Sequence, residues 1–314
     1  MHVRTYDEID PSDAYRLSAA AFGWTLTESE MRRIVRRDPR YPYGPPVYAV
    51  ERGRVLAQVV PMRFPVRLAT GVEEVGGLQG VCSLPSVWGR GYARRLIEHV
   101  HGMFRDDGLR ISTLTASMNT RGYGVYRRLG YVDIAAFYLG TRAIPKDRRS
   151  PKRLRIRKAR KADLPRIQAL YRTATRGLLG WTERSPAELP AAFATFAWFR
   201  GRYRVAVRRQ RIVGYLRSRP DSGTLMEEVV APKKADFRDI VAAMELKARG
   251  GVATANWITC RRDAARVRHL GYRLDRIGDT TMAAALTRDV RVPELPRLFG
   301  GTTGRFVQFP TDDF

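Results

Sequence analysis

The feature that most constrains this chain is a glycine-containing loop between a short apolar run and an amphipathic run. Residues 78–84 are mostly apolar and end at Pro85, and the loop over residues 88–93 reads Trp-Gly-Arg-Gly-Tyr-Ala. Apolar residues then recur at helical spacing as far as Phe104. A strand, a tight loop and a helix in this order direct the first backbone N–H groups of the helix towards an anion. The stretch therefore predicts a phosphate-binding turn, with an ordinary strand-to-helix turn as the alternative.

The residue types inside the loop narrow the kind of phosphate site. Gly89 and Gly91 permit positive φ and close approach of the backbone, and neighbouring arginines add charge beside the positive end of the helix dipole. No Lys-Ser or Lys-Thr pair follows the loop, so the P-loop pattern is absent. The stretch resembles motif A of the GCN5-related N-acetyltransferases, [Q/R]-x-x-G-x-[G/A], which holds the pyrophosphate of acetyl-coenzyme A. Gly91 and Ala93 match its end, whereas Trp88 stands where Gln or Arg is usual.

A second stretch, at residues 119–131, resembles motif B of the same family. That motif is commonly written N-x-x-A-x-x-L-Y-x-x-x-G-F/Y, and this chain has Asn119, Tyr126 and a Leu-Gly-Tyr sequence at 129–131. The two motifs occur in the family's order and at its distance, and the resemblance covers about residues 1–142. It implies an acyltransferase that uses acetyl-coenzyme A as co-substrate, acts on an amine acceptor and needs no metal.

The resemblance also implies roles for individual residues. The pyrophosphate is expected at the backbone of Gly89, Arg90, Gly91, Tyr92, Ala93 and Arg94. Asn119 is expected near the pantetheine arm, and a backbone N–H of Val81, Cys82 or Ser83 is expected to meet the oxyanion. Tyr126 is the predicted general acid, which donates its phenolic proton as the thiolate leaves. A core tyrosine with a hydrogen-bonded hydroxyl is the alternative. The amine attacks the thioester directly in a ternary complex, without a covalent intermediate.

The sequence identifies neither the general base nor the residues of the acceptor wall. Glu28, Glu73, Glu74 and a water chain are all candidates for the base, and a reaction without a general base is a further alternative. The resemblance to Eis-type acetyltransferases adds the C-terminal carboxylate of Phe314. The family builds part of its acceptor wall from two helices after the first strand, so Trp24, Glu28 and Tyr43 are candidate wall residues, with plain packing or solvated surface as the alternative. Cys82 has no evident histidine partner, which favours a buried structural thiol over a nucleophile.

The second half of the chain repeats this plan in weaker form. A strand ends at Pro232, as one ends at Pro85, but the residues that follow contain no glycine. Residues 264–272 end in Leu-Gly-Tyr, with Val267 where the motif tyrosine would fall. Two such halves resemble the Eis-type acetyltransferases, although this chain is too short for their third, sterol-carrier-like domain. The implied fold class is α/β (α+β), with two domains that each have a mixed, mostly antiparallel twisted sheet flanked by helices, the second one degenerate.

The predicted boundaries follow the proline-rich and basic stretches. Residues 1–143 form the catalytic domain, 144–154 a basic linker, 155–287 the degenerate domain and 288–314 a C-terminal tail punctuated by proline and glycine. The linker is read as a solvated connector, with a nucleic-acid-binding arm as the alternative. A length of 314 residues agrees with two domains.

Composition limits the compartment and the partners. The chain has two cysteines, no apolar run of membrane-spanning length and no signal peptide, so a cytoplasmic protein without a disulfide framework is expected. Seven of the 57 basic residues are lysine, so 50 are arginine, and the net charge is +26. The arginines are spread over nearly every segment, which favours solvated faces over a nucleic-acid partner. Two alternatives to catalysis remain: a nucleic-acid or anion-binding module, and a protein that binds coenzyme A without turnover.

Overall fold

The computed structural model describes residues 1–23, 27–151, 154–195, 197–219 and 225–308. The chain divides into two compact units, and each unit combines separate stretches of the sequence. Unit 1 comprises Met1–Pro65, Glu73–Val132 and Met282–Leu295. Unit 2 comprises Val66–Val72, Asp133–Thr281 and the chain from Pro296 onward. In the described ranges, no helix is both long and apolar enough to cross a bilayer.

The secondary structure alternates between strands and helices in both units. The first half contains β1 (His2–Arg4), α1 (Pro11–Phe22), α2 (Glu28–Arg37), β2 (Val47–Glu51), β3 (Arg54–Leu68), β4 (Gly71–Ser83), α3 (Tyr92–Asp106), β5 (Ile111–Ser117), α4 (Arg121–Arg128) and β6 (Val132–Ala143). The second half contains β7 (Arg155–Lys158), α5 (Leu164–Thr175), α6 (Glu188–Thr195), α7 (Ala197–Arg202), β8 (Tyr203–Arg208), β9 (Arg211–Ser218), β10 (Leu225–Val230), α8 (Lys234–Glu245), β11 (Val252–Ile258), α9 (Arg261–His269), β12 (Arg273–Ala285) and α10 (Leu295–Leu298).

Unit 1 is a largely antiparallel sheet flanked by helices, as predicted. Its strands lie in the order β1-β2-β3-β4-β5, and the last residues of β12 complete the sheet beside β5. The Thr113 hydroxyl donates to the Met282 carbonyl at 3.0 Å, and the Leu286 N–H donates to the Arg110 carbonyl at 2.8 Å. Met282 is fully buried in the same apolar cluster as α3. The sheet of unit 1 is therefore finished by residues far along the chain.

The first two helices begin where their capping residues predict. The Asp10 carboxylate accepts a hydrogen bond from the Ser12 N–H at 2.8 Å, and the N–H of Gly23, in the left-handed region, closes α1 on the Ala19 carbonyl. At α2, the Thr27 N–H donates to the Glu30 carboxylate at 2.9 Å, and the Glu30 N–H donates to the Thr27 hydroxyl at 3.3 Å, which together form a capping box. Both helix starts thus have a local side-chain cap.

Two of the three glycines in the interior of β4 serve packing rather than a bulge or the approach of a ligand. A Cβ on Gly76 would lie 2.3 Å from the Phe104 ring of α3, and one on Gly77 would lie 2.1 Å from the Phe64 ring of β3. Both positions exclude a side chain because aromatic rings rest on the strand backbone. Only Gly80, with φ of +55°, has the conformation that bends the strand.

Unit 2 has a sheet in the order β7-β8-β9-β10-β11, completed by β6. β11 pairs antiparallel with β6, from Val252 opposite Ala143 to Ile258 opposite Tyr138. Like β4 and β5, β10 and β11 pair in parallel at two positions, Leu225 with Thr254 and Met226 with Ala255. Each unit therefore contains a short parallel pairing of this kind.

The division into units differs from the predicted boundaries. The prediction placed residues 133–143 with the first domain and 282–287 with the second, whereas the structure assigns them the other way round. The reason is that motif B predicts a strand after α4 but carries no information about which strand it will pair with. β3 continues through Pro65 to Leu68 as one strand.

Segments predicted as a linker and a tail are folded where the structure describes them. Ile144 is buried and exchanges backbone hydrogen bonds with Gly250 and Gly251, and Arg148 pairs with the fully buried Glu245. In the predicted tail, Phe299, Phe306 and Val307 are buried. The basic run of the first stretch and the prolines and glycines of the second are typical of irregular segments, so composition did not indicate their part in the core.

Candidate functional site

The site begins where β4 separates from β5. The two strands pair at Gly76 with Ser112 and at Gly77 with Thr113, and Gly80 then turns the backbone of β4. The Gln58 side chain holds this turn by donating its Nε2–H to the Gly80 carbonyl at 3.1 Å. The residues after Gly80 remain partly exposed, so their backbone can reach a ligand.

The helix that follows has an open start. Gly89 and Gly91 have φ of +82° and +81°, and Gly91 is the residue before the first turn of α3. No side chain caps this helix, whose first hydrogen bond runs from the Arg95 N–H to the Gly91 carbonyl at 3.0 Å. The N–H groups of the first turn therefore have no acceptor within the helix and suit an anion. A Cβ at either glycine would meet no atom within 4 Å, so there is room for a side chain. Glycine is favoured at these positions because of the left-handed backbone.

These elements enclose a cleft of about 750 Å³ within unit 1. Its walls are the end of α1, the end of β4, the glycine loop, the start of α3, and α4. Nine of the predicted site residues line it: Val81, Cys82, Ser83, Gly89, Gly91, Tyr92, Ala93, Arg94 and Tyr126. Arg90 and Asn119 are exposed and lie outside the lining. The structure thus brings the central strand, the glycine loop and the tyrosine of motif B to one cavity.

Tyr126 differs from a core tyrosine that has a satisfied hydroxyl. It is about nine-tenths buried, yet it lines the cleft, and its hydroxyl forms no hydrogen bond to any residue that the structure describes. Burial raises the pKa of Tyr126 to about 12, and the nearby Cys82 adds to this rise. The phenol is therefore protonated at neutral pH and can donate a hydrogen bond to a ligand.

A buried polar network supports Tyr126 from behind. The Tyr131 ring meets the Tyr126 ring edge-on, with centroids 5.9 Å apart. The Tyr131 hydroxyl lies 2.6 Å from the Ser112 hydroxyl and 2.8 Å from Nε2 of His101. Because these contacts fix Tyr131, they limit how far the Tyr126 ring can turn away from the cleft.

Cys82 lines the cleft as a thiol. Burial raises its pKa to about 12, so the thiolate that a nucleophilic cysteine requires is not formed near neutral pH. The geometry therefore favours a packing and backbone role for this residue.

The cleft is positively charged. Arg94, Arg121 and Arg128 line it, and no carboxylate or histidine does so among the described lining residues. Trp88 donates its indole N–H to the Ser83 carbonyl at 3.1 Å, and the Arg121 guanidinium lies 4.8 Å from the centre of the Trp88 ring. Trp88 thus joins the glycine loop to β4 and contacts an arginine at the start of α4.

Some lining residues were missed by sequence reasoning. They are Ala20, Ala21 and Phe22 at the end of α1, and Thr120, Arg121, Gly122, Val125 and Arg128 on or beside α4. The four-residue spacing of Tyr126 and Gly122 on one helical face was an available signal for α4. Nothing in the small apolar residues of α1 distinguishes them from ordinary packing.

The three glutamates proposed as bases are engaged elsewhere. Glu73 pairs with Arg110 at 2.7 Å, Glu74 with Arg63 at 3.4 Å, and the exposed Glu28 with Arg32 at 2.8 Å. Glu74 also precedes Cys82 by eight residues on one strand, a distance of about 26 Å. None of the three lines the cleft.

The remaining candidates are Tyr43 and Trp24 for the acceptor wall and the C-terminal carboxylate for the base. Tyr43 packs its ring on Phe104, with centroids 5.6 Å apart, and does not line the cleft. Trp24 and the carboxylate of Phe314 lie outside the described residues.

The corresponding turn in unit 2 lacks the features of a phosphate site. Lys233 precedes α8 with φ of −84°, and Asp236 lies in the first turn of that helix. Arg208 pairs with Asp236 at 3.2 Å. A carboxylate at this helix start repels an anionic ligand, so of these two turns only the one in unit 1 suits an anion.

Comparison with known proteins gives a family match in the part of the chain that contains the cleft of unit 1. The family model for the acetyltransferase (GNAT) domain matches residues 2–133. No curated protein sequence matches the chain.

Solved structures with a similar fold cover most of the chain. A GCN5-related N-acetyltransferase from Kribbella flavida shares 21% identity with a TM-score of 0.65, over 91% of this chain and 72% of that one. A conserved protein of unknown function from Enterococcus faecalis V583, described as a probable N-acyltransferase, shares 16% identity with a TM-score of 0.70 over the same proportions. A putative acetyltransferase from Pyrococcus horikoshii shares 11% identity with a TM-score of 0.56, over 96% and 93% of the two chains.

Proposed function

We propose that this protein transfers an acetyl group from acetyl-coenzyme A to an amine, because residues 2–133 match the family model for the acetyltransferase (GNAT) domain. The observation that supports this most directly is one cleft that contains both the open start of α3 and the Tyr126 hydroxyl. The first provides anion recognition and the second provides a proton donor, which are the two requirements for using a thioester of coenzyme A.

In this proposal, the glycine loop binds the pyrophosphate. The N–H groups of Tyr92, Ala93 and Arg94 donate to its oxygens, and the helix dipole adds to the attraction. Arg94 forms an exposed pair with Glu98 at 2.8 Å, which costs little to exchange for a phosphate partner. Arg121 and Arg128 supply further positive charge to the anionic part of the co-substrate.

The reacting end lies along the exposed end of β4 in this proposal. A backbone N–H among Val81–Ser83 stabilises the oxyanion that forms when the amine attacks the thioester carbonyl. Tyr126 donates to the sulfur as the carbon–sulfur bond breaks. The described lining contains no carboxylate or histidine, so the amine loses its proton to water or to the C-terminal carboxylate of Phe314.

The first test removes the Tyr126 hydroxyl. Tyr126→Phe should lower kcat by about 10²-fold or more, the usual contribution of a positioned acid, while the Kd for coenzyme A stays within about twofold. Calorimetric titration with coenzyme A and thiol release across a panel of amines measure the two quantities. Tyr123→Phe is the matched control, because it makes the same change on α4 outside the cleft lining. Equal kcat in Tyr126→Phe and wild type would reject the assignment.

A second candidate function is binding of coenzyme A without turnover. The absence of a carboxylate or histidine from the described lining, and the tryptophan in the motif, both favour it. Calorimetric binding of coenzyme A, combined with no thiol release for any amine, would support this candidate over catalysis.

We also propose that unit 2 is a degenerate second domain of the same plan. The two-position parallel pairing of β10 with β11 repeats that of β4 with β5. The helix start after β10 has Asp236 in place of the glycine loop. Unit 2 is therefore not expected to bind acetyl-coenzyme A at this turn.

A further inference from the structure

A second cleft, of about 640 Å³, lies entirely within unit 2. It is bounded by the end of α5, the segment 177–186, Arg67 and Arg305. It shares no residue with the cleft of unit 1.

The floor of this cleft is held by backbone hydrogen bonds. The Arg67 N–H donates to the Trp181 carbonyl at 3.0 Å, and the Gly180 N–H donates to the Arg67 carbonyl at 2.8 Å. On the other side, the Leu179 N–H donates to the Arg305 carbonyl at 3.0 Å, and the Val307 N–H returns to Leu179 at 2.8 Å. Three separate chain segments are thus fixed together, so the side chains they carry are held in place before any ligand binds.

The lining is strongly basic. Arg67, Arg172, Arg176, Arg184 and Arg305 are five of its twelve residues, and Glu183 is its one carboxylate among the described residues. In the whole chain, 50 of 314 residues are arginine, or about one in six. The fraction of arginine among the lining residues is more than twice as high.

Three of these arginines are oriented by the protein. Arg184 is buried, lies 3.8 Å from the centre of the Tyr171 ring and contacts Glu228 at 3.6 Å. Arg67 pairs with Glu183, and Arg305 donates its Nε–H to the Gly177 carbonyl at 2.8 Å.

The other two lie at the end of α5. Arg172 is on the last turn of this helix and Arg176 directly follows it. Both are exposed, and neither forms an ion pair with a described residue. Two like charges at this spacing repel each other, and a shared anion would relieve that repulsion.

We propose that this cleft binds a small organic phosphate that carries two or more phosphate groups. Guanidinium groups match the geometry of phosphate oxygens. Two of the five arginines are paired with Glu183 and Glu228, so three positive charges remain, which suit a multivalent anion. The cavity is larger than one phosphate group and has apolar walls at Leu178 and Trp181, which suit an organic body. A concave site of limited volume favours a small molecule over a nucleic-acid strand. The proposal is independent of acetyl transfer.

The test uses the full chain and inorganic pyrophosphate as the probe. Titration is performed by calorimetry with saturating coenzyme A present, so that the cleft of unit 1 is occupied. Wild type should bind one pyrophosphate, and Arg172→Gln/Arg176→Gln should bind it at least about tenfold more weakly. Arg249→Gln/Arg268→Gln is the matched control, because it removes the same charge from exposed positions of unit 2 outside the lining. Its affinity should stay within about twofold of wild type.

The outcomes separate this proposal from the proposed function. Loss of affinity in the cleft variant alone supports the site, even if coenzyme A itself fails to bind. Absence of pyrophosphate binding by wild type, or equal losses in the two double variants, overturns it. A single-stranded oligonucleotide that binds far more tightly than pyrophosphate and is equally sensitive to the cleft variant also overturns it. Thermal melting of each variant checks folding, and single variants Arg172→Gln and Arg176→Gln replace the double variant if it is unstable.

Discussion

His101 shows how one buried side chain links stability to the candidate site. Its Nε2 contacts the Tyr131 hydroxyl, and Tyr131 in turn supports Tyr126. Burial, and secondarily the charge of Arg105, lower the pKa of His101 from 6.5 to about 4. The imidazole is therefore neutral throughout the physiological range, and the network behind Tyr126 keeps one protonation state.

This pKa predicts acid sensitivity. Between pH 6.5 and about 4 the unfolded chain protonates His101 and the folded chain does not, so acidification stabilises the unfolded state. The full loss corresponds to about 3 kcal/mol. His101→Gln should therefore show a smaller drop in the free energy of unfolding between pH 7 and pH 4.5 than wild type, by about 2 kcal/mol in urea titrations. His99→Gln, at an exposed position of the same helix, should behave like wild type. An identical drop in His101→Gln would contradict the assignment.

At the scale of the element, the glycines of β4 serve two different purposes. Gly76 and Gly77 give room to aromatic rings on opposite faces, whereas Gly80 bends the strand towards the cleft. The sequence alone shows three glycines in one strand and cannot separate packing from bending, because the rings come from residues 12 or more positions away. The loop and start of α3, in contrast, were predictable, since their conformation depends on adjacent residues.

Substitution of Gly76 tests the packing role. Gly76→Ala places a methyl group 2.3 Å from the Phe104 ring, so we expect a loss of about 1–3 kcal/mol in the free energy of unfolding. Gly102→Ala is the matched control, because this glycine lies inside α3 and an added Cβ would meet no atom within 4 Å. That change should raise stability by about 0.5–1 kcal/mol. Urea unfolding measures both, and a stable Gly76→Ala would show that Phe104 can move aside.

At the scale of the whole molecule, each unit depends on a strand that the other half of the sequence supplies. Strand and helix positions were largely predictable, because periodicity and capping are local. The exchange of residues 133–143 and 282–295 was not, because pairing partners are chosen by sheet edges that the sequence does not display. The same limit explains the cleft: motif residues predicted nine of its lining residues, whereas the contributions of α1 and Arg128 depend on tertiary packing.

This exchange predicts how fragments behave. A fragment of residues 1–143 lacks Met282, Ala284 and Leu286, which are buried against the core of unit 1. Full burial of a side chain such as Met or Leu contributes about 1.5–3 kcal/mol, a large share of the stability of a domain. We therefore expect residues 1–143 to unfold without cooperativity, as measured by circular dichroism in urea. Residues 1–132 joined by a glycine-serine linker to residues 282–295 should unfold cooperatively. Cooperative unfolding of the first fragment would contradict this reading.

Residues 282–295 are synthesised late, and this affects how unit 1 folds during translation. On the ribosome, β5 is complete at Ser117, but the part of β12 that belongs to unit 1 begins only 165 residues later, at Met282. At about 5–20 residues per second, the nascent chain carries an unpaired sheet edge for roughly 10–30 s. Such an edge is a template for pairing between chains. The protein should therefore depend on chaperones during translation more than after release, and slow translation should increase its aggregation.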